Sequence, residues 1–355
     1  QRAIQHLAEM PHDRAPVVTG IALSPDALTL ATAGDDHLVR LWNLSDGKLL
    51  HLLKEHNDWV RSTAFTPDGQ LLATAGDDRQ VRLWKVTSGA LVKTLPEHPL
   101  AIRCVRFSPD GNTLGTAGFD RQVRIYQTRD GAPQREFAAT CPDMRAVAFS
   151  RDGTLLAAGG RDGRLRLWNL AMSADGPLVS AHTRRLRAIA FSPDDAALAT
   201  AGDDQTVQIW TARDAQLQAA IPIRGCKVMA LAWCGPGVIA AGGSDNLIHL
   251  FDVGSRQELA TLAGHTGTIA ALDADATGRT LVSGSFDTTA RVWNLETALT
   301  GATTARAAPP LPPRGGVISP PLDAGARNAI PANQPEPRQP RDARGNSPAV
   351  QSPYQ

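Results

Sequence analysis

An aromatic residue recurs along this chain at Trp42, Trp84, Tyr126, Trp168, Trp210, Phe251 and Trp293, at intervals of 42, 42, 42, 42, 41 and 42. Six residues before each stands an aspartate: Asp36, Asp78, Asp120, Asp162, Asp204, Asp245 and Asp287. About one residue in ten is acidic, so seven matches at one offset are not chance. A repeat of this length constrains the fold more than any other feature. Each unit is a supersecondary element that cannot bury its apolar face alone and must stack on its neighbours.

The units read alike. An early apolar alternation, such as Val60, Ala64 and Phe65, is followed by a turn of the type Pro67-Asp68-Gly69. A small-residue stretch, Leu-Ala-Thr-Ala-Gly, comes next at 30–34, 72–76 and 198–202, and the acidic turn then leads into Val-Arg-Leu-Trp at 39–42 and 81–84. Period-two alternation between Pro, Asp and Gly turns, with almost no helical periodicity, predicts four antiparallel strands per unit, here called a to d.

These residues resemble the WD40-repeat family over roughly residues 4–300. The resemblance implies an all-β fold, a seven-bladed β-propeller of four-stranded antiparallel blades. It also implies a buried polar chain in each blade: His before strand a, Ser or Thr on strand b, Asp in the b–c turn and Trp on strand c. Carried over by position, the sets are His12/Thr32/Asp36/Trp42, His56/Thr74/Asp78/Trp84, His182/Thr200/Asp204/Trp210 and His265/Ser283/Asp287/Trp293. The third repeat has His98/Thr116/Asp120 with Tyr126 in place of Trp. A closed chain of donors and acceptors leaves no buried polar group unpaired. The fourth repeat has Thr140-Cys141 and Ala158 at the His and Thr places, and the sixth has Arg224, Ala241 and Phe251. Both keep the aspartate and are expected to lose the network. His, Ser and Asp also make hydrolase triads, but a set repeated blade after blade and capped by Trp reads as structural. No catalytic residue, cofactor or metal is expected.

A propeller must close, or its end blades expose edges. Repeat seven supplies a, b and c, near 269–272, 281–285 and 290–294, and then drifts into a poor strand. The stretch Gln5-His6-Leu7-Ala8 precedes His12 much as His51-Leu52-Leu53 precedes His56, so an N-terminal strand is expected to complete the last blade. The expected domains are a propeller over 1–300 and a disordered Pro-rich tail over 301–355. The tail holds 12 of the 25 prolines and six Arg against three acids. It lacks the apolar content to offset ordering entropy. Pro309-Pro310-Leu311-Pro312-Pro313-Arg314 fits a P-x-x-P-x-R ligand, though such runs are common in plain solvated tails.

With 36 basic and 35 acidic residues the net charge is +1, so no whole-chain field draws the protein to nucleic acid or membrane. Four cysteines (Cys104, Cys141, Cys226 and Cys234) without C-x-x-C spacing read as reduced thiols. The chain opens on Gln1, with no signal or membrane segment near it, and a cytoplasmic compartment is expected.

In this family partners usually meet the top face, at the channel mouth, through the d–a and b–c loops. One position in strand a reads Thr19, Arg61, Arg103, Arg145, Arg187, Met229, Ala270, an arc of four arginines. Two residues earlier stand Val17, Trp59, Ala101, Asp143, Arg185, Lys227 and Thr268. Before the turn aspartate stand Asp35, Asp77, Phe119, Arg161, Asp203, Ser244 and Phe286. Arg61–Asp77, Arg187–Asp203 and Asp143–Arg145 are expected to pair, leaving Arg103, Arg161, Arg185 and Lys227 unmatched beside Trp59, Phe119 and Phe286. Exposed aromatics beside arginine have hot-spot composition. The expected function is a non-catalytic scaffold presenting these residues to a protein or peptide, with an acidic ligand as one form of it. Neither nucleic acid nor membrane is expected as a partner, and the propeller is expected to be monomeric. The alternative is a regulatory or sensing module of a larger protein cut before Gln1. A second arginine stripe, Arg40, Arg82, Arg124, Arg166 and Arg291, is expected to pack its stems between blades.

Overall fold

Strand-length alternating segments separated by Asp and Gly turns can only pair with their sequence neighbours, and this is how each unit folds. The computed structural model describes residues 2–5, 15–172 and 174–301. Among them lie seven four-stranded antiparallel sheets, ordered a-b-c-d. The first takes Val18–Leu23, Thr29–Gly34, Val39–Asn43 and Leu49–Leu53. Five more span 60–94, 102–138, 144–180, 186–222 and 228–262. The seventh takes a, b and c from Ile269–Ala274, Thr280–Ser285 and Thr289–Asn294. The poor strand that follows is instead a short helix, Leu295–Gly301.

The outer strand of the seventh blade is Arg2–Gln5, paired from Arg2 opposite Val292 to Gln5 opposite Thr289. The N-terminal segment therefore closes the ring, but three residues ahead of the expected stretch. Ile4 stands opposite Ala290, the register place that Leu53 holds opposite Val39 in the first blade. The first strand a begins at Val18, so this d–a connection is longer than the one from Leu53 to Val60, and the spacing to His12 misled. His12 and the expected disordered tail lie outside the described residues.

The core is divided. Seven buried apolar clusters fill the seven blade interfaces, one each, including the seventh-to-first interface, where Val282 and Ala290 meet Val18, Ile21 and Leu30. Packing between flat sheets, rather than within one, is what makes the circle the stable unit. At the closure the Leu23 amide donates to Asp273 Oδ2 across the two blades (2.8 Å).

Each b–c turn puts the residue after its aspartate in the left-handed region: His37, Arg79, Arg121, Gly163, Gln205, Asn246 and Thr288, with φ between 58° and 73°. That conformation costs an ordinary residue about 1 kcal/mol or more. The aspartate offsets it by accepting the amide two residues on, as Asp78 does from Gln80 (3.2 Å). The same carboxylate anchors the polar chain. Trp84 Nε1–H donates to Thr74 Oγ1 (2.8 Å), Thr74 to His56 Nε2 (2.7 Å) and His56 Nδ1–H to Asp78 (2.8 Å). The fifth blade repeats this geometry with Trp210, Thr200, His182 and Asp204. In the seventh, Ser283 stands in for threonine: Trp293 Nε1–H donates to Ser283 Oγ (2.8 Å), Ser283 donates to His265 Nε2 (2.7 Å), and His265 Nδ1–H donates to Asp287 (2.8 Å). In the first blade Trp42 donates to Thr32 (2.8 Å).

The arginine stripe is structural, and Arg40 and Arg82 are buried. In three blades the guanidinium turns back onto the blade's own aspartate, Arg40 to Asp36 (2.7 Å), Arg82 to Asp78 (2.6 Å) and Arg124 to Asp120. Four residues along a strand, the side chain lies on the same face as the turn carboxylate and reaches it. Arg166 instead pairs with Asp175 on the outer strand (2.7 Å). Thr206 and Thr289 hydroxyls serve Asp204 and Asp287 directly (2.9 and 2.7 Å).

The third, fourth and sixth blades also differ from expectation. The longer reach of Tyr126 carries its hydroxyl past Thr116 to His98 Nε2 (3.1 Å), which leaves the buried Thr116 hydroxyl without a protein partner. In the fourth, Thr140 Oγ1 still donates to Asp162 (3.3 Å). The sixth rebuilds a network from other residues: His249 on strand c bridges Asp245 (2.8 Å) and Glu258 (2.7 Å), and the Cys226 thiol also bonds Asp245.

Burial pushes His56, His182 and His265 below the ordinary histidine value. Burial opposes ionisation of Asp78 too, but the bond and charge of His56 and the bond from Arg82 outweigh it and pull it to about 2. Burial likewise disfavours charged His249, yet Asp245 and Glu258 raise it. The three depressed histidines contribute stability that is complete above their unfolded value of about 6.5 and lost as pH falls; His249 contributes below that value and loses its share as pH rises. His249→Gln should therefore cost more stability at mildly acidic than at mildly alkaline pH, read from urea midpoints at both. Asp78→Ala strands His56 and Arg82 in a buried site and should cost about 3 kcal/mol or more, whereas Asp162→Ala should cost about 1. Thr288→Gly relieves a β-branched residue at φ 70° and should raise stability by about 1 kcal/mol in the same assay.

Candidate functional site

Strand b of blades two to six ends in glycine because the start of strand a passes directly over it. A Cβ at Gly76 would lie 1.9 Å from the Trp59 carbonyl oxygen. That approach lets the next amide donate to the same carbonyl. Asp77 donates to Trp59, Phe119 to Ala101, Arg161 to Asp143, Asp203 to Arg185, Ser244 to Lys227 and Phe286 to Thr268, at 2.9–3.2 Å. These bonds bring two of the three sequence-derived top-face positions side by side in six blades. The third, on strand a, points into the channel mouth. Arg61, Arg103, Arg145 and Arg187 from four successive blades line one cavity of about 120 Å³ there, with Thr19 and Met229 on the remaining arc.

The three expected pairs form. Arg61 donates twice to Asp77, through Nε (3.0 Å) and Nη2. Arg187 grips Asp203 through Nε and Nη2 (2.8 and 2.9 Å). Arg145 Nη2 donates to Asp143 (2.8 Å). Arg103, expected to stand unmatched, instead reaches Asp77 Oδ1, but only at 3.5 Å, because Asp77 is already committed to Arg61. Its Nε is buried with no acceptor. Burial, and then the neighbouring charges of Arg61 and Arg145, hold Arg103 down at about 10 despite Asp77.

The aromatics sort around this mouth. Arg61 stacks on Trp59 with its guanidinium 4.2 Å from the ring centre. Phe119 lies against both Arg103 (4.6 Å) and Arg145 (5.5 Å). Phe286 stands apart and is 44 % exposed. Arg161 and Lys227 are exposed and Arg185 half-buried, on blades four to six, and none has an ion-pair partner among the described residues. The face is thus divided: aromatics on blades seven, two and three, free cations on blades four, five and six.

Two charged residues of the channel escaped the sequence reading. Strand a carries alanine at its penultimate place in five blades (Ala22, Ala64, Ala148, Ala190 and Ala232), but Arg106 and Asp273 in the third and seventh. Both line the lower channel. Burial raises Asp273 although the Leu23 and Ala274 amides donate to it. The signal was a charge at an otherwise uniform repeat position, visible only once the blades are aligned to the residue.

The polar sets have no nucleophilic geometry. The strand b hydroxyls of Thr32, Thr74, Thr200 and Ser283 belong to wholly buried residues that no substrate or partner can touch. Those of Thr74, Thr200 and Ser283 are each saturated by an indole donor and an imidazole acceptor. Ser283, the one serine among them and so the nearest to a hydrolase triad by residue type, is therefore a blade-internal link and no part of the exposed site. The four cysteines are free, and burial pushes Cys226 and Cys234 up to about 12, far from a reactive thiolate. No group of three or more His, Cys, Asp or Glu among the described residues is placed to hold a metal ion. No described helix is long and apolar enough to cross a membrane.

Comparison with known proteins agrees with this geometry. A family model described as the IFT122 first beta-propeller matches residues 17–252, and one described as WD domain, G-beta repeat matches 256–294. The phospholipase A-2-activating protein of Xenopus laevis is 47% identical over 57 residues, 16% of this chain and 7% of that protein. The periodic tryptophan protein 2 homologs of Schizosaccharomyces pombe and Neurospora crassa are 39% and 42% identical over 59 residues, again 16% of this chain and 7% of theirs. The chain therefore covers a small fraction of the length of these relatives. Replacing Gly76 by Ala should push the Trp59 carbonyl aside and lower the melting temperature by several degrees, with Trp59 fluorescence reporting the displaced top face.

Proposed function

Since the chain belongs to the IFT122 first beta-propeller family of WD40-repeat propellers, matched over 17–252, we propose that it is a non-catalytic interaction platform whose top face binds a protein or peptide. The observation that carries this reading is the divided face. Trp59, Phe119 and the 44 % exposed Phe286 supply apolar anchor area, and Arg161, Arg185 and Lys227 supply cations without ion-pair partners among the described residues. Aromatic anchors ringed by arginine are what interface hot spots are made of. Rigidity supports the same reading, since a face held by backbone bonds from six blades loses little entropy on binding.

The platform acts as a monomeric ring in the cytoplasm. Free thiols and a net charge of +1 fit a reduced compartment and a partner chosen by local contacts rather than by a field drawing it to nucleic acid or membrane.

Pull-down followed by titration tests the platform. The partner captured by the wild type should bind a Trp59→Ala/Phe286→Ala variant at least about tenfold more weakly, and should bind a Leu28→Ala control on the opposite face unchanged. Equal affinity for all three proteins would place the interaction elsewhere.

A further inference from the structure

We propose that the channel mouth is a slot for one carboxylate side chain of the partner, an aspartate or glutamate seated between Arg103 and Arg145. This rests on the top-face reading and specifies its chemistry. Four guanidiniums, one from each of blades two to five, line the mouth, and Asp77, Asp143 and Asp203 pair with three of them. Arg61, Arg145 and Arg187 each own a close partner. Arg103 is the one of the four without a close carboxylate: its contact with Asp77 Oδ1 is 3.5 Å long, and its Nε, like Arg145 Nε, Asp77 Oδ1 and Asp143 Oδ1, is buried without a hydrogen bond. The Arg103 side chain is 19 % exposed, so part of its guanidinium opens to the mouth, and an arginine meets a carboxylate through two parallel bonds. The depressed ionisation of Arg103 points the same way, because burial and the repulsion of Arg61 and Arg145 are relieved by an added anion.

The occupant is an acidic peptide rather than nucleic acid for a geometric reason. The three carboxylates alternate with the guanidiniums around the mouth and would repel a continuous phosphate backbone, which gains from many neutralised charges at once. A cavity of about 120 Å³ admits a side chain, not a strand of nucleotides. Arg161, Arg185 and Lys227 on the adjoining blades, without ion-pair partners among the described residues, give further acidic residues of the same segment a path away from the slot, and Trp59 lies on its other side under Arg61.

The probe is a fluorescein-labelled peptide, Trp-Gly followed by four glutamates, titrated by anisotropy at low salt. It is compared with its glutamine counterpart, a phosphoserine counterpart and an oligothymidylate of equal charge. The glutamate peptide should bind, the glutamine peptide should not, and Arg103→Ala should weaken the glutamate peptide about tenfold or more. Asp77→Asn provides an independent arm of opposite sign: it frees Arg103 and Arg61 and should tighten the glutamate peptide. Melting temperatures confirm that both variants are folded; should Arg103→Ala fail to fold, the Asp77→Asn result decides. The slot is refuted by no binding of the glutamate peptide, by equal binding of the glutamine peptide, by indifference to both variants, or by preference for the oligonucleotide. Phosphoserine binding more than about tenfold tighter than glutamate would overturn the carboxylate assignment. If the glutamate peptide fails while the captured partner still responds to Trp59→Ala/Phe286→Ala, the slot falls and the platform stands; if the captured partner ignores those aromatic changes, the platform itself falls.

Discussion

A carboxylate in the b–c turn at the top of each blade holds this molecule together. To pass from strand b to strand c in so few residues the chain must place one residue in the left-handed region, and six of the seven such residues are not glycine. The turn aspartate meets that cost locally, by accepting the amide beyond the strained residue. It then fastens the turn to the sheet through His, Thr or Ser, and Trp, or through Arg on strand c. Because its donors come from the d–a loop and from strand c, and the histidine carries the chain on to strand b, one carboxylate ties the whole blade. A carboxylate that takes this many bonds stays ionised inside protein, as Asp78 does at about 2.

The same device positions the face above it. The residue before the turn aspartate donates its amide to the start of strand a, so the side chains that would meet a partner hang from the most strongly fixed point of the blade. The channel side chains gain from closure in another way. Apolar packing exists only between blades, so a ring with all seven interfaces filled leaves no blade free to tilt, and the four mouth arginines keep their spacing. Stability and recognition here draw on one set of bonds, with the core supplying rigidity and the turns supplying placement.

Much of this was legible from period and composition. Seven aspartates six residues ahead of seven aromatics identified the blades and the polar sets, and three of those sets, built on Thr74, Thr200 and Ser283, match atom for atom. Blade closure by an N-terminal strand was legible as a need, but not its register, because more residues separate Gln5 from Val18 than separate Leu53 from Val60. The arginine stripe was legible as structural but its ion pairs were not, since sequence gives the face of a strand but not which of two neighbouring anions a flexible side chain will choose. The sixth blade was read as stripped of its network for a similar reason: His249 and Cys226 stand at places where the repeat does not put them, and only the fold brings both to Asp245. At the mouth, the pairs within a blade were readable and the sharing of Asp77 between blades was not.

Local chemistry repeated at a fixed interval determined, by itself, the strand count, the turn type, the number of blades and the residues at their tips, because each of these depends on neighbours within one unit. What belongs between units was decided by the tertiary structure: which arginine is left over, where Phe119 lies, and how the last sheet finds its fourth strand. Those outcomes depend on distances across the ring, and a one-dimensional pattern carries no measure of a distance between residues whose separation along the chain is whole repeats.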